Sequence, residues 1–233
     1  MKNIISLGFF CGPAQELEKY GFRSSSFPFD WLISDFKGVN ELVQNNFIQF
    51  LDESLLLQNE VNRSYYKNKK YNVQFFHDFD RFLPLSEQLE NVQNKYKRRI
   101  EKFYSTIKAP TIFLRYIEDE NELNYINENY FAIESLYKSF NKENEIIYII
   151  NDDLSSSIIQ HQYKVKKDVN DSVCRKPLDY LPDLVDYLNK EFDNGIRKSN
   201  LEYFQSKSIK KQSIAEKMKN KFKKPYRHGY TYK

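Results

Sequence analysis

Three short apolar runs lie far apart in this chain: Ile4 to Leu7, Thr111 to Tyr116, and Glu145 to Ile150, the last reading Glu-Ile-Ile-Tyr-Ile-Ile. Uninterrupted apolar runs of this length are the pattern of strands buried on both faces, since a half-exposed strand would alternate with polar residues. Long amphipathic stretches separate them. Leu89, Val92, Tyr96, Ile100 and Phe103, at steps of three and four, predict a helix over Leu85 to Ile107, and a second helix is expected over about Glu120 to Phe140. Strands joined through helices must cross over to pair and therefore run parallel. The expected fold is a single α/β domain over residues 1–203, with a mainly parallel, Rossmann-like sheet flanked by helices. Ile158 to Val165 is a candidate fourth strand and Leu181 to Phe192 a further helix.

The segments between are shorter. Gly12-Pro13 opens a helix, because proline at the first helical position sacrifices no hydrogen bond, and that helix stops at Gly21. Residues 22–34 read as an aromatic, serine-rich connection, followed by a helix from Phe36 to Asn46 capped by Asp35. Residues 47–84 suggest a short helix near Leu51 to Leu57 and a hairpin with Tyr71 to Phe76 as one strand.

Aromatic residues make up 16% of the chain and supply much of the apolar area for a core. Two cysteines are too few for a disulfide framework and point to a reducing compartment. No stretch approaches the roughly 20 apolar residues that span a bilayer, and the first apolar run is shorter than a secretory h-region, so a cytoplasmic location is expected.

Charge is unevenly placed. Residues 204–233 hold ten of the 36 Lys and Arg but only one of the 32 acids, which leaves residues 1–203 five charges negative. An anionic partner is therefore expected at the tail, where Ile209, Ile214, Met218 and Phe222 recur among lysines at near-helical spacing. Such a segment is either an amphipathic helix that binds an anionic membrane surface or an acidic partner, or a marginally ordered extension. Specific nucleic-acid binding is not expected. Two distant cysteines and three scattered histidines give no metal-ligand spacing, and Gly8-Phe-Phe-Cys-Gly12 is neither a dinucleotide fingerprint nor a Walker loop, so no metal or cofactor is expected.

Ligands of parallel sheets bind beyond the carboxyl ends of the strands. Here those ends supply Cys11, Arg115 and Asp152. Cys11 precedes a helix whose first N–H groups, those of Ala14, Gln15 and Glu16, lack intrahelical partners. There a thiolate is stabilised by the helix dipole and the same N–H groups are placed to hold an oxyanion. A packed core thiol is the alternative. Among the histidines, His77 sits in the aromatic sequence Phe-Phe-His-Asp-Phe-Asp, with its neighbour Asp78 on the opposite face of an extended segment and Asp30 the better orienting acid. Arg115, closing an apolar strand, must pair with Asp152 or Glu118 or else meet an anionic ligand.

Ser6-Leu-Gly-Phe-Phe-Cys-Gly-Pro-Ala-Gln-Glu-Leu and Arg23-Ser-Ser-Ser-Phe-Pro-Phe-Asp-Trp resemble a family of unknown function named for papain-like cysteine peptidases. Phe76-His-Asp-Phe, Tyr96-Lys-Arg-Arg-Ile and Phe113-Leu-Arg115 also look like its pattern, so the similarity covers roughly residues 3 to 170. The resemblance implies Cys11 as nucleophile, His77 as base and Asp30 as orienting acid. The function expected is a cysteine-dependent hydrolase or acyl transferase, with Gly12, Gln15, Arg115 and Asp152 toward the substrate. The alternatives are a sugar- or phosphate-handling transferase that binds an anionic donor at Arg115 with Cys11 structural, and a non-catalytic binding module.

Overall fold

The structure, a computed structural model, describes residues 1–203 apart from residues 24, 63, 64 and 194. The helix expected within the basic tail lies outside the described residues. In chain order the elements are β1 (Asn3–Ser6), α1 (Gly12–Lys19), β2 (Leu32–Ser34), α2 (Phe36–Gln44), β3 (Leu56–Gln58), β4 (Tyr66–Asn68), β5 (Val73–Phe75), α3 (Leu85–Thr106), β6 (Thr111–Ile117), α4 (Glu120–Lys138), β7 (Glu145–Asn151), β8 (Gln162–Val165) and α5 (Pro182–Glu191).

β1, β6, β7 and β8 form the expected parallel sheet, in that order, with Asn3 opposite Thr111 and Ile112 opposite Glu145. Alternation sends successive side chains to two cores. Ile5, Phe113, Ile117, Tyr148 and Ile150 face α2, α3 and α4, whereas Ile4, Leu114, Tyr116, Ile147 and Ile149 face Leu17 of α1 and Leu184 and Leu188 of α5. Among the described strands the order follows the chain without reversal, so the crevice that a reversal opens in a Rossmann arrangement is absent.

A second sheet, antiparallel and ordered β2-β5-β4-β3, occupies the long excursion between β1 and β6. Only a hairpin was legible there. Each strand is three residues long, too short to display a period of two. The helix expected near Leu51 is a single 3-10 turn, Glu53–Leu55, that runs directly into β3. Buried Asn68 ties the unit together: its amide donates to the carbonyls of Gln49 and Phe50 and its oxygen accepts from the N–H groups of Lys70 and Tyr71. The abundant aromatics pack here, with Phe29 against Phe47 and Phe50 against Phe75 and Tyr96. Asp35 caps α2 as expected, accepting from the N–H groups of Lys37 and Gly38.

Candidate functional site

Beyond β1 the chain makes a tight loop. Gly8 and Phe9 both adopt positive φ, 82° and 72°; at Gly8 a Cβ would stand 2.7 Å from Ser34 Oγ, so a side chain there would be both strained and crowded. Ser34 fixes the loop by accepting the Phe9 N–H on its hydroxyl at 3.1 Å and donating its own N–H to the Phe9 carbonyl at 3.1 Å. This hands the chain to Cys11, the residue that precedes the first turn of α1, half-buried and with no capping bond from its side chain. Gly12 is buried tightly enough that a Cβ would lie 2.7 Å from the Arg175 carbonyl and inside the Phe10 ring.

The helix begins one residue earlier than expected, and the Gln15 N–H already bonds the Cys11 carbonyl at 3.0 Å. The donors left without an intrahelical acceptor are therefore those of Gly12 and Ala14, and the Gln15 side chain is exposed. Glu16 does not compete for them. Its buried carboxylate turns away and accepts from the N–H groups of Leu178 and Asp179, at 3.0 and 3.2 Å, where it caps the 3-10 turn Pro177–Tyr180. Burial pushes the Glu16 carboxyl up to about 7.

The Cys11 thiol is not depressed as its position led us to expect. Burial raises it above the ordinary thiol value, against the opposing pull of its own N–H and of Arg175. Cys174, in the same region, is fully buried and pushed up to about 11. The wall behind them is a network that the sequence did not reveal: the Tyr116 hydroxyl donates to Asn151 Oδ1 at 2.5 Å and accepts the Cys174 N–H at 2.8 Å, while Asn151 Nδ2 donates to the carbonyls of Glu118 and Ser172. The rings of Phe9 and Phe10 pack on Tyr116.

Arg115 is fully buried, and all five of its N–H groups are used. Nε and Nη2 clasp the two Glu122 oxygens at 2.7 Å each, Nη1 reaches the Leu7 carbonyl and Ser34 Oγ at 3.0 Å, and Nη2 also donates to the Ser34 carbonyl at 2.6 Å. The rings of Phe9 and Phe36 flank it. No donor is left for a substrate. The structural pairing expected for Arg115 is present, but with Glu122 of α4 in place of Asp152 or Glu118. Asp152 is exposed; its N–H bonds the Val165 carbonyl, so what the structure shows it doing is holding β8 in the sheet.

His77 follows β5, exposed, with its ring edge-on to Trp31 at 6.1 Å. Among the described residues no hydrogen bond joins it to Cys11 or to Asp30. The orienting role expected of Asp30 is taken up elsewhere: its fully buried carboxylate accepts the Phe27 N–H at 2.7 Å and pairs with Arg23 at 2.9 Å. Arg23 also binds Glu18 in the C-terminal half of α1, at the opposite end of that helix from Cys11. Asp78 points away from His77 into bonds with Lys95 and Tyr96, as alternation requires.

A cavity of about 360 Å³ opens between α2 and α4, lined by Phe9, Ser34, Asp35, Asp119, Glu122 and Tyr125. It lies on the face of the parallel sheet opposite α1. Among the described residues no cluster of His, Cys, Asp or Glu is placed to hold a metal ion, and no helix is long and apolar enough to cross a membrane.

Comparison with known proteins bears on this geometry. "Uncharacterized protein R408" of Acanthamoeba polyphaga mimivirus is 33% identical over 133 residues, 48% of this chain and 60% of the relative, so the chain spans less than two thirds of that protein's length. No solved structure matches. Residues 2–153 match a family profile, and with that match the chain belongs to the family described as "Putative papain-like cysteine peptidase (DUF1796)".

Proposed function

We propose that the chain is a thiol-dependent hydrolase or acyl transferase whose nucleophile is Cys11. The observation that carries this reading is the seat of the thiol itself: a half-buried sulfur at the head of α1, beside the N–H groups of Gly12 and Ala14 that have no intrahelical acceptor. The description of the family supports it. Sγ attacks an acyl carbon, the leaving group departs with a proton, and the two N–H groups hold the oxyanion of the tetrahedral intermediate. Water then releases the acyl group in a hydrolase, or a second nucleophile takes it in a transferase. Because burial lifts the thiol above its ordinary value, the resting sulfur is protonated and the attack needs a base. His77 is the proposed base, the role the family resemblance implies for it; its imidazole is exposed, with the ring edge-on to Trp31.

A chromogenic acyl donor, p-nitrophenyl acetate, tests the assignment. The expected result is a burst of one nitrophenolate per chain, with the acyl group found on Cys11 by mass spectrometry, no burst from Cys11→Ser and a slowed burst from His77→Gln. A Cys11→Ser protein that is acylated as fast as the parent would overturn the nucleophile. A full-rate burst from His77→Gln would remove the base.

A further inference from the structure

A cavity of about 450 Å³ whose lining does not include Cys11, Gly12 or Ala14 lies past the carboxyl end of β8, the outer strand of the parallel sheet. Its volume falls within the roughly 300 to 1,000 Å³ of small-molecule sites, and its position beyond the strand ends is where parallel sheets take their ligands. Three ammonium groups line it, those of Lys164, Lys166 and Lys167, against the single carboxylate of Asp168.

The acid is already committed. Asp168 accepts the Arg175 N–H at 2.9 Å, and Lys167 is drawn off to Asp153 at 2.7 Å. Lys164 and Lys166 are exposed and carry no ion pair among the described residues, so two cations are left facing the cavity. Its remaining wall is apolar and open: Val169 is 91% exposed and Tyr180 67% exposed, and among the described residues no ring packs on Tyr180. The backbone that carries Tyr180 is fixed, because the residue closes the 3-10 turn that buried Glu16 caps. An exposed ring on a fixed turn beside ammonium groups without ion pairs suits a ligand that carries both a planar ring and anionic groups.

We propose that this cavity binds a nucleotide, with its phosphates on Lys164 and Lys166 and its base stacked on Tyr180. The site is independent of Cys11 chemistry, so Cys11→Ser leaves binding unchanged. Titration calorimetry of the full chain with adenosine diphosphate, uridine diphosphate, inorganic pyrophosphate and uncharged adenosine tests it. At least one of the two nucleotides is expected to bind saturably and more tightly than pyrophosphate or adenosine, and to weaken as salt is raised. Lys164→Glu/Lys166→Glu, two exposed positions whose melting temperature should not change, lowers that affinity by about tenfold or more. Tyr180→Ala lowers it by about tenfold while leaving pyrophosphate unaffected. Absence of saturable nucleotide binding, or binding that survives the double charge reversal and therefore belongs to the basic tail or another surface, overturns the site. Pyrophosphate that binds as tightly as the nucleotide, or full nucleotide affinity in Tyr180→Ala, overturns the stacked base and with it the assignment to nucleotides.

Discussion

Glu122→Gln asks what the buried guanidinium of Arg115 depends on. The substitution keeps the shape of the side chain but removes the carboxylate that, among the described residues, pairs with Arg115, and it turns an amide donor toward a guanidinium donor. Burial outweighs Arg115 and lifts the Glu122 carboxyl above its ordinary value, so the pair is not itself a net source of stability. The cost of the substitution is instead that of stranding a cation at 0% exposure, which for a buried pair is about 3 to 5 kcal/mol. The Leu7 and Ser34 oxygens are neutral and do not replace the lost charge, but the flanking rings of Phe9 and Phe36 soften the loss, which places the estimate at about 3 kcal/mol. At about 2 to 4 °C per kcal/mol for a domain of this size, the melting temperature falls by about 6 to 12 °C. Urea unfolding followed by the fluorescence of Trp31, the only tryptophan, measures the free energy directly. A loss below about 1 kcal/mol would show that the guanidinium is not held by this pair and would reopen Arg115 to ligand binding.

Glu16 gives the chain a pH dependence of defined sign. Its folded-state carboxyl, at about 7 against an ordinary 4.5, binds its proton more tightly than the unfolded chain does, so the stability tied to that proton is complete below 4.5 and lost as pH rises through 7; Glu16→Gln should flatten the profile of unfolding free energy between pH 5 and 8 by about 3 kcal/mol, and parallel profiles for the two proteins would refute this. Asp30, raised by burial to about 6 from 3.8, adds a loss of the same sign over a slightly lower window, so Asp30→Asn should reduce the slope left in Glu16→Gln. A chain that ends at residue 203 should keep a cooperative melt, because the parallel strands and the helices that cover both their faces precede that point, and should lose any salt-sensitive binding to vesicles of anionic phospholipid, at about 1 kcal/mol for each Lys or Arg engaged; unchanged vesicle binding would place the attachment elsewhere.

The parallel core strands were legible because burial on both faces leaves an uninterrupted apolar run, and the helices because their apolar stripe recurs every three or four residues over many turns. The boundaries of α3 and α4 came out within about two residues. Legibility failed where contacts are long in sequence and short in extent. Three-residue strands carry no period, so the antiparallel sheet was invisible except for one hairpin. That Arg115 needs an acid follows from burying a charge, but which acid depends on the angle at which α4 leaves β6. Glu122 lies seven residues along, in the first turn of that helix, and the two carboxylates nearer the strand ends lost to it. The same limit applies to Asp30, whose partner Arg23 sits in the same motif yet is brought to it by the turn at Phe27 to Trp31. For Cys11 the position at the head of a helix was correct, but its degree of burial, which reverses the sign of the thiol shift, depends on segments near residue 175 that the local sequence does not contain.

The placement of β1 at the edge of the parallel sheet carries a consequence for the order in which the molecule assembles. β6 and β7 are joined by one helix and pair across a short stretch of chain, whereas β1 meets β6 only after the whole antiparallel unit and α1 to α3 have been laid down between them. Closing the larger loop is entropically dearer and slower. During synthesis the first strand therefore waits, with its hydrogen-bonding edge unfilled, until Thr111 to Ile117 has emerged and paired with β7. Pulse-labelled hydrogen exchange during refolding should protect the amides of Ile112 to Leu114 before those of Ile4 to Ser6. The loop that carries Cys11 is thus set by the last long-range pairing to form, so a destabilised β6–β7 pair would delay the seating of the thiol even in a chain whose Cys11 segment is untouched.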